Sequence, residues 1–220
     1  MKRTILFFLL MVACCSSAFG GLIVCIEEDE LGTLWSQLYD SETTSLTTDD
    51  TTASWNLTFD ADPYVESSVS LTNKTSSAKT YTLTFTVDLE EAITPNSLYS
   101  GSVWGSLTTD PLGGYVSTVA PEPLYLGLMD NVGILPFYPH LSSWSRPNGG
   151  TTPIDLIETW GLVGGAVNET ISIRHKFRLG AGDTLTLDGY FEVIPEIPEP
   201  ATIALLGLGA LSLIRRKRRT

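Results

Sequence analysis

Cysteine and histidine are scarce in this chain of 220 residues, which has three cysteines and two histidines. Cys14 and Cys15 lie near the N-terminus, and beyond them Cys25 is a single thiol that cannot form an intrachain disulfide. Stability must therefore come from an apolar core. Cys25 lies in the apolar run 22–26, which predicts a buried strand and an inert thiol rather than a nucleophile.

The two histidines give little support for catalysis. By strand alternation His175 shares a face with Ile173 and Phe177, which predicts a histidine at the edge of the core. His140 follows a proline in a loop and has Ser142 close by, but the chain has no Gly-x-Ser-x-Gly elbow. We therefore expect a protein that is not an enzyme, and keep a surface hydrolase as the third hypothesis.

Metal-binding patterns are equally rare. The sequence has no paired histidines, no cysteine cluster and no EF-hand spacing, so we expect no cofactor and no transition metal. Asp60 and Asp62 are the best calcium candidate, because two carboxylates two residues apart offer hard oxygen ligands. The simpler interpretation is a solvated turn. Asp183 is expected to cap its own turn through the backbone.

Positive charge is nearly missing from residues 21–199, which hold all 25 acidic residues but only six lysines and arginines. The formal charge of this part is therefore −19. Such a surface repels nucleic acids and anionic lipid headgroups, which argues against both as partners. It would attract cations, although the simplest consequence of the charge is solubility.

The N-terminus has the pattern of a signal peptide over residues 1–20. Lys2 and Arg3 form a basic start, residues 5–13 are apolar, and residues 18–20 fit a signal peptidase cleavage site. The exported chain then begins at Gly21. An alternative is that residues 11–14 form a lipobox, which would make Cys14 a lipidated N-terminus.

The C-terminus combines a proline-rich linker (195–200), fourteen uncharged residues (201–214) and a basic end (215–220). As a helix, 201–214 reaches only ~21 Å against a hydrocarbon core of ~30 Å, so we expect a transient membrane insertion. The linker's prolines favour an extended peptide that a protease can read, or simply a spacer before a weak anchor. The predicted stop-transfer residues are Arg215, Arg216, Lys217, Arg218 and Arg219.

This order of linker, short helix and basic end resembles the PEP-CTERM sorting signal of exported bacterial proteins. The resemblance implies that an exosortase recognises Pro198, Glu199 and Pro200, removes the tail and delivers the protein to the cell surface or an extracellular polysaccharide matrix. Residues 79–89, 99–107 and 177–183 also resemble the β-sandwich ectodomains that often precede this signal.

Alternation with period two runs through most of residues 21–194 and predicts an all-β domain, an antiparallel β-sandwich or jelly roll. Residues 180–183 predict a hairpin turn, and residues 136–153 a long surface loop. Two short helices are predicted at 31–38 and 156–160. The predicted strands are 22–26, 55–59, 64–71, 80–89, 101–107, 115–119, 124–129, 171–179 and 185–193.

Five tryptophans and eight tyrosines suggest carbohydrate binding, because flat aromatic rings stack on sugar faces. Trp144, in the predicted loop, is the first candidate for glycan contact, followed by Trp104 and Tyr115. Trp35 and Trp160 are expected in the core.

Together, these patterns predict an exported, non-enzymatic β-sandwich protein of the envelope surface or extracellular matrix. The alternative is a module on the same fold that binds extracellular polysaccharide.

Overall fold

The computed structural model describes residues 22–28, 32–39, 43–60, 63–138 and 142–194. The predicted signal peptide, the linker, the hydrophobic segment and the basic end lie outside these residues, as do Pro198, Glu199, Pro200, His140 and Asp62. Every regular element in the described part is a β-strand.

Fourteen strands follow one another along the chain. They are β1 (Leu22–Glu28), β2 (Gly32–Tyr39), β3 (Thr43–Thr47), β4 (Thr51–Asp60), β5 (Tyr64–Asn73), β6 (Lys79–Asp88), β7 (Leu98–Thr109), β8 (Gly114–Ser117), β9 (Tyr125–Met129), β10 (Val132–Phe137), β11 (Ser143–Arg146), β12 (Gly150–Leu162), β13 (Thr170–Leu179) and β14 (Thr184–Ile194).

The strands form two antiparallel sheets. The eight-stranded sheet has the order β10-β9-β13-β6-β1-β2, and β8 joins β13 to β11. The six-stranded sheet has the order β12-β7-β14-β5-β4-β3. This arrangement confirms the predicted all-β sandwich.

The core lies between the sheets and follows the predicted alternation. In β6, Tyr81, Leu83, Phe85 and Val87 are at most 1% exposed, whereas the threonines between them are half-buried. β14 presents the alternating residues from Leu185 to Val193 to the same interior. Each burial of a large apolar side chain contributes about 1.5–3 kcal/mol, so the buried residues of both strands stabilise the contact between the sheets.

Both predicted helices are wrong, because residues 31–38 overlap β2 and residues 156–160 lie within β12. β12 has an irregular register between Ile154 and Ile157. Such a bulge changes which residues face inward. The apolar residues of β12 therefore do not alternate with period two, and their spacing resembles that of a helix.

The predicted loop 136–153 is also wrong in part, since it contains the end of β10, all of β11 and the start of β12. Pro136 and Pro153 suggested a loop. Both lie on edge strands, where a residue without an N–H group is tolerated because one side of the strand has no partner.

Residues 180–183 form a turn, but the hairpin prediction is wrong because β13 and β14 belong to different sheets. Asp183 also differs from the prediction. Its Oδ2 accepts a hydrogen bond from the backbone N–H of Tyr115, 2.9 Å away on β8. The carboxylate therefore ties this turn to the neighbouring strand, and burial raises its pKa.

Candidate functional site

The three predicted glycan contacts do not lie on one surface. Trp144 is half-buried on β11, paired with the buried Val116, and its ring packs at 90° against Tyr138 with the centroids 4.8 Å apart. Tyr115 is next to Val116 in β8 and therefore faces the opposite side of the sheet. Trp144 thus extends the core instead of offering a free ring.

Trp104 is the predicted contact that remains accessible. It lies on β7, and its side chain is 37% exposed on the outer face of the six-stranded sheet. The prediction that Trp160 lies in the core is wrong, because this side chain is 74% exposed on the same face.

Two tyrosines extend the surface around Trp104. Trp104 pairs with Asp188 of β14, Tyr190 follows two residues later on the same face, and Tyr190 pairs with Glu66 of β5. Tyr64 lies two residues before Glu66, and its ring centroid is 6.1 Å from that of Tyr190. Trp104, Tyr190 and Tyr64 therefore form a line across three adjacent strands, which we call the aromatic diagonal.

Acidic side chains flank the aromatic diagonal. The register places Asp188, Glu66 and Glu192 on the same face, and the described strands of this sheet contain no lysine or arginine. The Tyr190 hydroxyl donates to Glu192. Burial, this hydrogen bond and the nearby Tyr64 and Glu66 raise the pKa of Tyr190, so the hydroxyl stays protonated.

This surface offers flat rings for stacking and carboxylates that accept hydrogen bonds. Trp104 was a candidate from the sequence, and its role in binding stays a prediction; Tyr64 and Tyr190 were not among the candidates. Alternation placed both tyrosines in strands, but only the pairing register shows that they share a face with Trp104 on adjacent strands.

His175 is fully buried between the sheets, deeper than the predicted core edge. Its Nε2 lies 3.4 Å from Ser67 Oγ, and its ring packs edge-on against Tyr125 and Phe85. Burial lowers the pKa of His175 to about 3. The imidazole is therefore uncharged at neutral pH, and a substrate cannot reach it.

The described part of the chain contains no group of three histidine, cysteine or acidic side chains that could hold a metal ion. Asp60 ends β4, but its partner in the calcium prediction, Asp62, lies outside the described residues. The calcium site stays a prediction. Within the same described ranges, no helix is long and apolar enough to cross a membrane.

Residues 196–219 match the family model described as the PEP-CTERM protein-sorting motif. No curated protein matches the sequence.

The solved structures that are similar to the chain include the following two. One is TmCBM61 in complex with β-1,4-galactotriose, with 12% identity, 64% of this chain and 88% of that chain covered, and a TM-score of 0.28. The other is β-glucosidase from Kluyveromyces marxianus in complex with glucose, with 11% identity, 80% of this chain and 16% of that chain covered, and a TM-score of 0.29. At TM-scores this low, neither likeness says what this chain binds.

Proposed function

We propose that this chain, an exported protein with a PEP-CTERM sorting motif that directs it to the cell envelope, is a non-enzymatic surface protein of structural or interaction type. An exosortase recognises Pro198, Glu199 and Pro200 and removes the tail. The β-sandwich then resides at the envelope surface or in the extracellular matrix.

The match of residues 196–219 to the sorting motif carries this proposal. It agrees with the short hydrophobic segment, whose ~21 Å helical length suits temporary insertion better than a permanent span. The enclosed His175 supports a role without catalysis, because a fully buried imidazole cannot reach a substrate.

Intact mass spectrometry of the surface form tests the processing step. We expect an N-terminus at Gly21 and loss of the residues that follow the motif. Glu199→Ala should retain the tail, whereas the control Glu91→Ala, exposed on the sandwich and outside the matched segment, should be processed. A surface form that still ends at Thr220 would contradict the proposal, and a lipid adduct at Cys14 would replace the Gly21 start.

Polysaccharide binding is the second candidate function, and the aromatic diagonal favours it. Because carboxylates flank the rings, the ligand should be neutral or carry amines rather than uronic acids. Trp104→Ala and Tyr64→Ala should each weaken binding about tenfold, a loss of about 1.4 kcal/mol.

Affinity electrophoresis through gels that contain neutral, amine-bearing or uronic polysaccharides measures this binding. Leu112→Ala is a suitable control, since Leu112 is 88% exposed in the turn between β7 and β8. Equal retardation of all variants would reject the aromatic diagonal as the site. The surface hydrolase remains the third hypothesis, and turnover of a chromogenic ester or glycoside that His140→Ala abolishes would support it.

A further inference from the structure

Exposed apolar side chains gather at one end of the sandwich. Eight large hydrophobic side chains are exposed among those that the structure describes, and five of them lie at this end. Soluble proteins rarely leave such side chains clustered unless the surface meets a partner or a membrane. We call this group the apolar rim; it comprises Leu98, Val132, Trp160, Leu162 and Ile194.

The strand register makes the apolar rim continuous. Leu98 on β7 pairs with both Leu162 on β12 and Ile194 on β14, so these three side chains stand in one row. Trp160 precedes Leu162 by two residues and faces the same side. Val132 belongs to the other sheet, and it shares with Leu162 a groove of about 430 Å³.

Both ends of the described chain lie at the same end of the sandwich as the apolar rim. β14 ends at Ile194, and the turn 180–183 that begins β14 lies at the opposite end. β1 begins at Leu22, which pairs with Val87. Val87 pairs with Ile171 near the start of β13, and this start is the end of β13 that is far from the turn 180–183. The N-terminal and C-terminal hydrophobic segments therefore connect to the same end of the molecule.

The tether to the hydrophobic tail is short. Six residues separate Ile194 from Ala201, the first residue of the uncharged segment. Fully extended, this stretch spans at most ~25 Å, so an inserted tail keeps the apolar rim within that distance of the bilayer. Trp160 is 74% exposed, and an indole ring is well suited to a membrane interface.

We infer that the apolar rim rests on the lipid bilayer while the tail is inserted. This inference rests on the proposed insertion of the C-terminal segment. Contact at the rim holds the sandwich against the membrane and keeps the linker 195–200 at the lipid surface, where a membrane-embedded protease acts.

Acidic side chains near the apolar rim favour a bilayer surface whose lipid headgroups carry no net charge. Asp130 borders the groove, and Glu158 and Glu192 lie beside the exposed apolar row. Burial alone would raise the pKa of Asp130, but hydrogen bonds from the backbone N–H groups of Asn168, Thr170 and Glu169 lower it. This carboxylate stays ionised near neutral pH and repels anionic headgroups.

Quenching of tryptophan fluorescence by brominated phosphatidylcholine tests the contact in the full-length chain inserted into vesicles. Comparison with Trp160→Phe isolates the contribution of Trp160, and Trp104→Phe is the matched control on the same face away from the rim. Both side chains are exposed, so neither change should disturb folding. We expect Trp160→Phe to remove most of the quenching and Trp104→Phe to leave it unchanged.

A second variant and a second lipid extend the test. Leu162→Glu should abolish the quenching of Trp160, and vesicles with one third phosphatidylglycerol should reduce it. A chain that fails to float with vesicles overturns both the insertion and the rim contact. A chain that floats with equal quenching in both tryptophan variants overturns the rim contact alone, as does rim burial in a dimer detected by a doubled molecular mass.

Discussion

His175 shows at the scale of one residue how burial sets chemical behaviour. Its ring is enclosed by Tyr125, Phe85 and Ser67, and its Nδ1 has no hydrogen-bond partner among the described residues. Protonation would place a charge in an apolar interior. The side chain therefore acts as a packing element in the folded state.

This burial predicts a loss of stability in acid. The pKa of His175 is about 3 in the folded chain and about 6.5 in the unfolded chain. Below pH 6.5 the His175 imidazole binds a proton in the unfolded state but not in the folded state. The free energy of unfolding therefore falls as the pH drops towards 3. At pH 4.5 the loss is on the order of 3 kcal/mol relative to pH 7.

Urea denaturation of the chain and of His175→Gln at both pH values measures this effect. The variant will have a lower free energy of unfolding than the unchanged protein at pH 7. At pH 4.5 the difference between the two free energies should be smaller by most of the ~3 kcal/mol that the unchanged protein loses. A difference that stays constant with pH would show that His175 is protonated in the folded state. The comparison also cancels the titration of the carboxylates, which both proteins share.

At the scale of elements, the contact between β7 and β14 depends on a glycine. A side chain at Gly105 would place its Cβ 2.1 Å from the backbone oxygen of Thr186 on β14. Both strands lie inside the six-stranded sheet and cannot move apart without breaking the ladder. Gly105 is therefore required by close packing.

Gly105→Ala should lower the free energy of unfolding by about 1–3 kcal/mol, because overpacking forces these strands apart. Gly164→Ala is the matched control, since a Cβ there meets no atom within 4 Å. Its effect should stay within about 0.5 kcal/mol. Urea midpoints report both values, and equal effects would reject the packing argument.

The elements also show where sequence reasoning succeeds. β6 was predicted because its buried residues alternate strictly with threonines, a pattern that only a strand buried on one face produces. β12 was missed because it contains Pro153, a bulge and the exposed apolar residues Leu156, Trp160 and Leu162. Edge position and bulges depend on neighbouring strands, which a single segment of sequence does not show.

At the scale of the whole molecule, charge is divided between the two outer faces. Arg174, Lys176 and Arg178 lie on β13 in the eight-stranded sheet, where Lys176 Nζ is 2.9 Å from Glu122. The described strands of the six-stranded sheet contain acidic residues but no lysine or arginine. The strands around the aromatic diagonal therefore carry an excess of negative charge.

This excess predicts that added salt stabilises the fold. Raising sodium chloride from 0.01 to 0.15 M shortens the screening length from ~30 to ~8 Å and weakens repulsion among the acids. The melting temperature should rise by about 2–4 °C for each kcal/mol of repulsion removed. Calorimetry should show a smaller rise for Glu66→Gln, and a melting temperature that falls with salt would contradict the prediction.

The sequence by itself determined the sorting motif, the all-β class and the buried face of strongly alternating strands such as β6, because these properties depend on local residue order and alternation. The sequence also made Trp104 a candidate contact. Only the tertiary structure decided that Trp144 packs inward, that Tyr64 and Tyr190 join Trp104, and that β13 and β14 lie in different sheets. It also placed both ends of the described chain, Leu22 and Ile194, at the end of the sandwich that carries the apolar rim. These outcomes depend on strand register and sheet order, which are set by contacts between residues far apart in the chain.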